Sequence, residues 1–245
     1  MSHLHIPDGV LPVWLWLTGL LFMILLLALA LRRIRKADLR KKLPLLAFAA
    51  AMMLVSMSLE IVPLAYHMNL SVLTGILLGP AMGFVAAFLV NFMLALVGHG
   101  GLTVVGLNTL IIGFEACSGY WLFRVCKRLF KPALAGGLSV VLTLFLSTSL
   151  VIGLAALSRL DPLKVSEFAN RDRSQEKGLL SFHGSHHHED QHEEKAGKAI
   201  VSLATFAKGA YILGSIGWIL EALLVGFILR FLVQVKPDMI STRAA

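Results

Sequence analysis

The stretch Leu11-Pro12-Val13-Trp14-Leu15-Trp16-Leu17-Thr18-Gly19-Leu20-Leu21-Phe22-Met23-Ile24-Leu25-Leu26-Leu27-Ala28-Leu29-Ala30-Leu31 contains no charged residue and is followed at once by Arg32 and Arg33. Wound as an α-helix, such a run is about 30 Å long, the thickness of a bilayer's hydrocarbon core. Comparable apolar runs recur at roughly 44–63, 70–79, 81–97, 102–123, 133–157 and 210–234. With 57% hydrophobic and only 15% charged residues among 245, and a mean hydropathy of +0.80, the chain is too apolar for a soluble domain. The expectation is an all-α integral membrane protein with seven transmembrane helices. Six is the count if 70–97 forms one kinked span, but a helix of that length would be about 42 Å long, which favours two short helices meeting at Gly79-Pro80.

The net charge of +8 does not point to nucleic acid, because the basic residues lie in short clusters beside the apolar runs. Arg32, Arg33, Arg35, Lys36, Arg40, Lys41 and Lys42 separate the first two spans, and Arg124, Lys127, Arg128 and Lys131 separate the fifth and sixth. The positive-inside rule puts both clusters in the cytoplasm. Seven spans then place the N-terminus, His67 and His99 outside and the C-terminal residues 236–245 inside. The first span lacks a basic segment ahead of it, so it does not resemble a cleavable signal peptide, and the amino terminus is expected to survive near position 1. Cys117 and Cys126 lie on one apolar segment and read as small core residues rather than a disulfide or metal pair.

That amino terminus is rich in nitrogen donors: Met1-Ser2-His3-Leu4-His5 puts two imidazoles within five residues of the α-amine. An amine, a deprotonated backbone nitrogen and an early imidazole form fused chelate rings, and near-planar nitrogen sites suit Ni(II) or Cu(II). With Met1 kept, Met1-Ser2-His3 offers the amine, amide nitrogens and the His3 ring. With Met1 removed, Ser2-His3 offers one donor fewer, and His5 or His67 completes the set. A short exposed tail with polar histidines is the alternative.

His67, in Tyr66-His67-Met68-Asn69, and His99, in Gly98-His99-Gly100-Gly101, share the predicted face of the N-terminus, which raises both as candidate ligands. Asn69 and Asn108 are candidates to fix the imidazole tautomers from behind. Glu60, Glu115 and Glu221 lie in or near the membrane and need partners, Lys208 or backbone donors among them, but are not read as ligands. The chain is expected to form a single membrane domain over 1–245. Residues 1–10 are its metal-binding segment, and 158–198 an extracytoplasmic loop. Within that loop His183, His186, His187, His188 and His192 accompany four carboxylates, which reads either as a solvated loop or as a metal-concentrating antenna.

Taken together, His5-Ile6-Pro7-Asp8-Gly9 with Leu11-Pro12, His67 ahead of Ile76-Leu77-Leu78-Gly79-Pro80, Gly98-His99-Gly100-Gly101-Leu102-Thr103, Gly106-Leu107-Asn108, Glu221 and Lys236-Pro237-Asp238 resemble the CbiM/NikM family. These are the substrate-binding membrane subunits of energy-coupling factor transporters for cobalt or nickel. The resemblance spans most of the chain outside the histidine loop. It implies seven helices, with the N-terminus tucked into the extracytoplasmic side of the bundle. The amine, the next amide nitrogen, the adjacent histidine ring and His67 would then bind Co(II) or Ni(II) as transported substrate.

The family pattern usually begins Met-His-Ile, whereas four residues precede His5 here. Matching by motif makes His5 the ligand, and matching by distance from the amine makes it His3. The reading adopted is that Ser2 and His3 replace the terminal chelate, with His5 as a further ligand or support. An acidic residue often stands at the place of His99, so that histidine marks a modified site.

The sequence contains no Gly-x-x-x-x-Gly-Lys-Ser/Thr, so ATP hydrolysis is assigned to partners and the chain is not read as an enzyme. The resemblance implies a transmembrane coupling subunit, two cytoplasmic ATPases and often a small accessory membrane subunit, in the cell inner membrane, with a link to cobalamin biosynthesis where the metal is cobalt. A self-contained secondary carrier or channel is the rival reading. An intramembrane metal enzyme would need a His-Glu-x-x-His, and none occurs.

Overall fold

The computed structural model describes residues 13–34, 36–58, 60–61, 66–98, 101–157 and 203–236. Among them are seven helices: α1 Val13–Arg33, α2 Lys36–Ser58, α3 Ser71–Leu78, α4 Pro80–Leu96, α5 Val105–Cys126, α6 Pro132–Leu157 and α7 Leu203–Val235. Each apolar run of the sequence coincides with one helix. Three helical stretches, Val13–Arg33, Pro132–Leu154 and Lys208–Val235, are long and apolar enough to cross a membrane by length and composition. The large side chains on their outer surfaces are apolar too, with Leu21 61%, Ile212 68% and Phe227 71% exposed. A helix hydrophobic on every side needs lipid or protein around it, and among the described residues the outward faces of α1, α6 and α7 are exposed.

Three differences from the sequence reading have physical causes. The span expected over 44–63 ends at Ser58, and Glu60–Ile61 instead forms a strand, β1, paired antiparallel with β2, Tyr66–His67. The sequence there, β-branched Ile61 and Val62 ahead of Pro63, has a low preference for helix. The N-terminal end of the same helix begins earlier, at Lys36, so most of the basic cluster lies on its first turns rather than in a loop. α3, finally, has only 8 residues. At helical rise it is about 12 Å long and cannot cross a bilayer alone.

α3 and α4 meet at Gly79, as expected, and fold back on each other there. Gly79 has φ 86° and ψ 169°, a conformation essentially restricted to glycine, and Pro80 begins α4 with its ring at the position where no N–H is needed. The return brings Gly83 against Gly75, where an added Cβ would lie 3.2 Å from the Gly75 Cα. α5 is the central helix, packing against α1, α3, α4 and α6, while α6 and α7 form the most extensive helix pair. That position explains why α5 carries Asn108, Thr109 and Glu115, all buried. Polar side chains are tolerated at membrane depth where protein rather than lipid surrounds them.

The seating of α3 on α5 depends on small residues. A Cβ at Gly75 would overlap the backbone carbonyl of Ala116, and one at Gly119 would come within 2.7 Å of Val72. Small residues at helix contacts let backbones approach closely where the hydrophobic effect supplies no force between helices. Gly75→Ala is expected to destabilise the protein by about 1–3 kcal/mol, since a helical carbonyl cannot swing aside. Gly153, on α6, has nothing within 4 Å of an added Cβ. Gly153→Ala should therefore leave stability unchanged or raise it by up to about 1 kcal/mol through helix propensity. Thermal unfolding of the two variants in detergent checks the contrast, and equal midpoints would mean that α3 does not sit on α5 in this way.

Candidate metal centre

His67 closes the two-residue ladder, with Glu60 as its register partner, and is half-buried. β2 packs on α2. From there the chain passes through three residues to α3, and the turn is made at Leu70, whose φ of 53° lies in the left-handed region. A β-carbon there costs roughly 1–2 kcal/mol, so surrounding contacts must impose the turn.

Those contacts come from two carboxylates, each fully buried, one on α5 and one on α7. Glu221 accepts the backbone N–H of Leu70 on Oε1 at 3.2 Å and, at the longer distance of 3.5 Å, that of Asn69 on Oε2. Glu115 accepts the Asn69 side-chain amide and the Ser71 hydroxyl, the latter at 2.8 Å, on Oε2, and the Ser147 hydroxyl of α6 on Oε1 at 2.6 Å. The Asn69 Oδ1 in turn accepts the Ser71 N–H at 2.6 Å, which supplies a partner for one of the free donors at the start of α3. Residues 69–71 are thus tied directly to α5 and α7, and through Glu115 to Ser147 of α6. Carboxylates at a helix N-terminus also meet its positive dipole end.

Backbone, hydroxyl and side-chain amide donors reach these carboxylates. Lys208 does not: it is exposed near the start of α7, thirteen residues and about 20 Å of helix from Glu221. The two serines were not singled out in the sequence, although a signal was there. Ser139, Thr143 and Ser147 recur at helical spacing on α6 and are all buried, so they mark a polar stripe facing protein.

Asn69 is fully buried and linked to Glu115 rather than standing alone behind an imidazole. Asn108 is buried in the first turns of α5, seven residues and two turns before Glu115 on the same side of the helix. The other proposed ligands, Ser2, His3, His5 and His99, lie outside the described residues, as do the histidine loop and segment 1–10. Among the described residues no group of three or more His, Cys, Asp or Glu side chains gathers as a metal site. Cys117 and Cys126, read as small core residues, are free thiols on α5, the first half-buried and the second buried.

The family model for CbiM, described as a cobalt uptake substrate-specific transmembrane region, matches residues 5–239. A cobalt transport protein CbiM from Nostoc sp. is 32% identical over 167 residues, a match covering 62% of this chain and 62% of that protein. A putative cobalt transport protein CbiM from Halobacterium salinarum is 31% identical over 163 residues, covering 62% of this chain and 74% of the relative. The crystal structures of a truncated transition metal transporter and of a transition metal transporter superpose with TM-scores of 0.69 and 0.68, each at 20% identity. They cover 94% and 96% of this chain, and 98% and 94% of their own, so they share its fold. A family match running through the helical bundle from end to end, on a fold shared with solved transporters, means that this chain belongs to the CbiM family of cobalt uptake transmembrane regions.

Proposed function

We propose that the protein is the metal-binding membrane subunit of an ATP-driven energy-coupling factor importer, taking Co(II) or Ni(II) on the extracytoplasmic side and passing it on for uptake. The observation that carries this reading is His67. A side chain whose ring nitrogens suit both metals stands on a two-residue ladder beside a segment that three helices pin, in a chain of the CbiM family.

The N-terminal donors complete the site in this reading. Ser2 and His3 form the terminal chelate, His5 supplies a further donor or support, and His99 comes from the glycine-rich sequence ahead of α5. Four nitrogen donors of this type favour a near-planar site. Asn108, on the α5 face that also bears Glu115, orients an imidazole, while Asn69 holds the segment after His67 through Glu115.

The helix ends support the orientation. Basic residues begin α2, whose 23 residues are about 35 Å long, and the ladder carrying His67 follows its other end. α1 ends in Arg32 and Arg33, just ahead of the basic start of α2, and α5 carries Arg124 in its last turn. The Arg124 guanidinium lies 5.8 Å from the Tyr120 ring centroid and 5.7 Å from that of Trp121. Aromatic rings with arginine are typical of the membrane–water boundary, and clustered positive charge of its cytoplasmic side.

Import against a gradient then needs a transmembrane coupling subunit and two cytoplasmic ATPases, with a small accessory membrane subunit, all in the cell inner membrane. Reconstitution in liposomes tests the assignment. The chain alone should bind metal without accumulating it, and accumulation should appear only with the partner subunits and ATP. Metal flux through the chain alone, at the rate seen with partners, would identify a self-contained carrier and overturn the proposal.

A further inference from the structure

We propose that Glu221 is a positioning residue for the transported metal: through the backbone N–H groups of Asn69 and Leu70 it fixes the conformation of the chain that carries His67. This rests on the assignment of His67 as a ligand and adds a residue that touches no metal. Glu221 lies on α7, more than 150 residues away in sequence, and is fully buried. Its two oxygens receive two consecutive backbone donors, so it reads the direction of the main chain rather than a side chain. The donors flank the point where Leu70 takes its left-handed turn, two and three residues after His67. Without an acceptor there, Leu70 would relax toward the broad β or right-handed α region, and the ladder residue before it would rotate with the chain.

Glu115 holds the same segment through different atoms, taking the side chains of Asn69 and Ser71 and anchoring them to Ser147. The division of labour differs accordingly. Glu115 secures α3 to α5 and α6, whereas Glu221 sets the backbone between β2 and α3. A carboxylate that merely capped α3 would affect stability and leave the metal's ligand field untouched.

The test uses the purified full chain titrated with Ni(II), read by affinity and by the ligand-field absorption of the bound ion. In E221A affinity should fall about tenfold or more, the range seen when groups that orient a metal's ligands are removed, and the absorption band should shift. E221Q keeps one carbonyl oxygen for the Leu70 N–H and should give a smaller change in the same direction. S147A, which loosens Glu115 only, should lower the unfolding midpoint while leaving the band in place. Wild-type affinity and an unshifted band in E221A would overturn the proposal. Should E221A fail to fold, E221Q decides: a shifted band supports positioning, and a wild-type band rejects it. Absence of Ni(II) binding by the wild-type chain would instead strike at the proposed function itself, and is visible before any variant is made.

Discussion

His67→Ala is expected to lower the affinity for Co(II) and Ni(II) by about 100-fold or more, beyond the 10–100-fold typical of losing a group that only orients a ligand. The residue stands at the end of a two-residue ladder whose hydrogen bonds are made by the backbone, so the substitution leaves the pairing with Glu60 intact. Asn69, Leu70 and Ser71 keep their acceptors on Glu115 and Glu221, because none of those bonds involves the His67 side chain. The effect should therefore fall on binding. Calorimetric titration of the purified variant measures it, with thermal unfolding alongside: the midpoint should stay within about 3 °C of wild type, which corresponds to roughly 1 kcal/mol for a chain of this size. Unchanged affinity would remove His67 from the site.

Glu115→Ala should have the largest effect on stability. It deprives the Asn69 amide, the Ser71 hydroxyl and the Ser147 hydroxyl of their common acceptor in a fully buried place. Leaving a buried polar group unsatisfied costs about 1–3 kcal/mol each, so a loss of roughly 3 kcal/mol is a conservative sum. Hydrogen bonds between membrane helices have measured values at the lower end, because the unfolded chain in lipid also finds partners. A loss of that size lowers the unfolding midpoint by about 6–12 °C. Glu115→Gln retains one acceptor oxygen but turns an amide N–H toward a donor, so it should fall between wild type and alanine. Ser147→Ala removes a donor rather than the acceptor and should cost about 1 kcal/mol. Equal unfolding midpoints for Glu115→Ala and wild type would show that the three donors do not depend on this carboxylate.

The helices were legible because seven apolar runs interrupted by charge and Gly-Pro leave little choice of element. The turn at Gly79-Pro80 was legible for a related reason, since the two residues impose it locally. The end of α2 was not: Ile61 and Val62 continue the apolar run, and hydropathy does not register that β-branching and Pro63 favour a strand there. The burial of α5 was equally invisible, because composition records its polar residues but not the four helices packed around it.

At the candidate site, the need of Glu115 and Glu221 for partners followed from their depth in apolar sequence. Which groups would meet them did not, as the partners lie 32, 44, 46, 151 and 152 residues away along the chain. Asn69 was singled out for its place beside His67. Its link to Glu115 emerges only once α3 is seated on α5 through Gly75 and Gly119.

The central claim is that this chain holds one Co(II) or Ni(II) ion on nitrogen donors of which His67 is one. Elemental analysis combined with X-ray absorption on the metal-loaded full chain tests it most directly. The expected result is about one ion per chain in a shell of nitrogen donors with imidazole scattering, lost from the His67→Ala variant. A protein that retains no metal, or one whose bound metal and nitrogen shell are the same in the His67→Ala variant, would contradict the account.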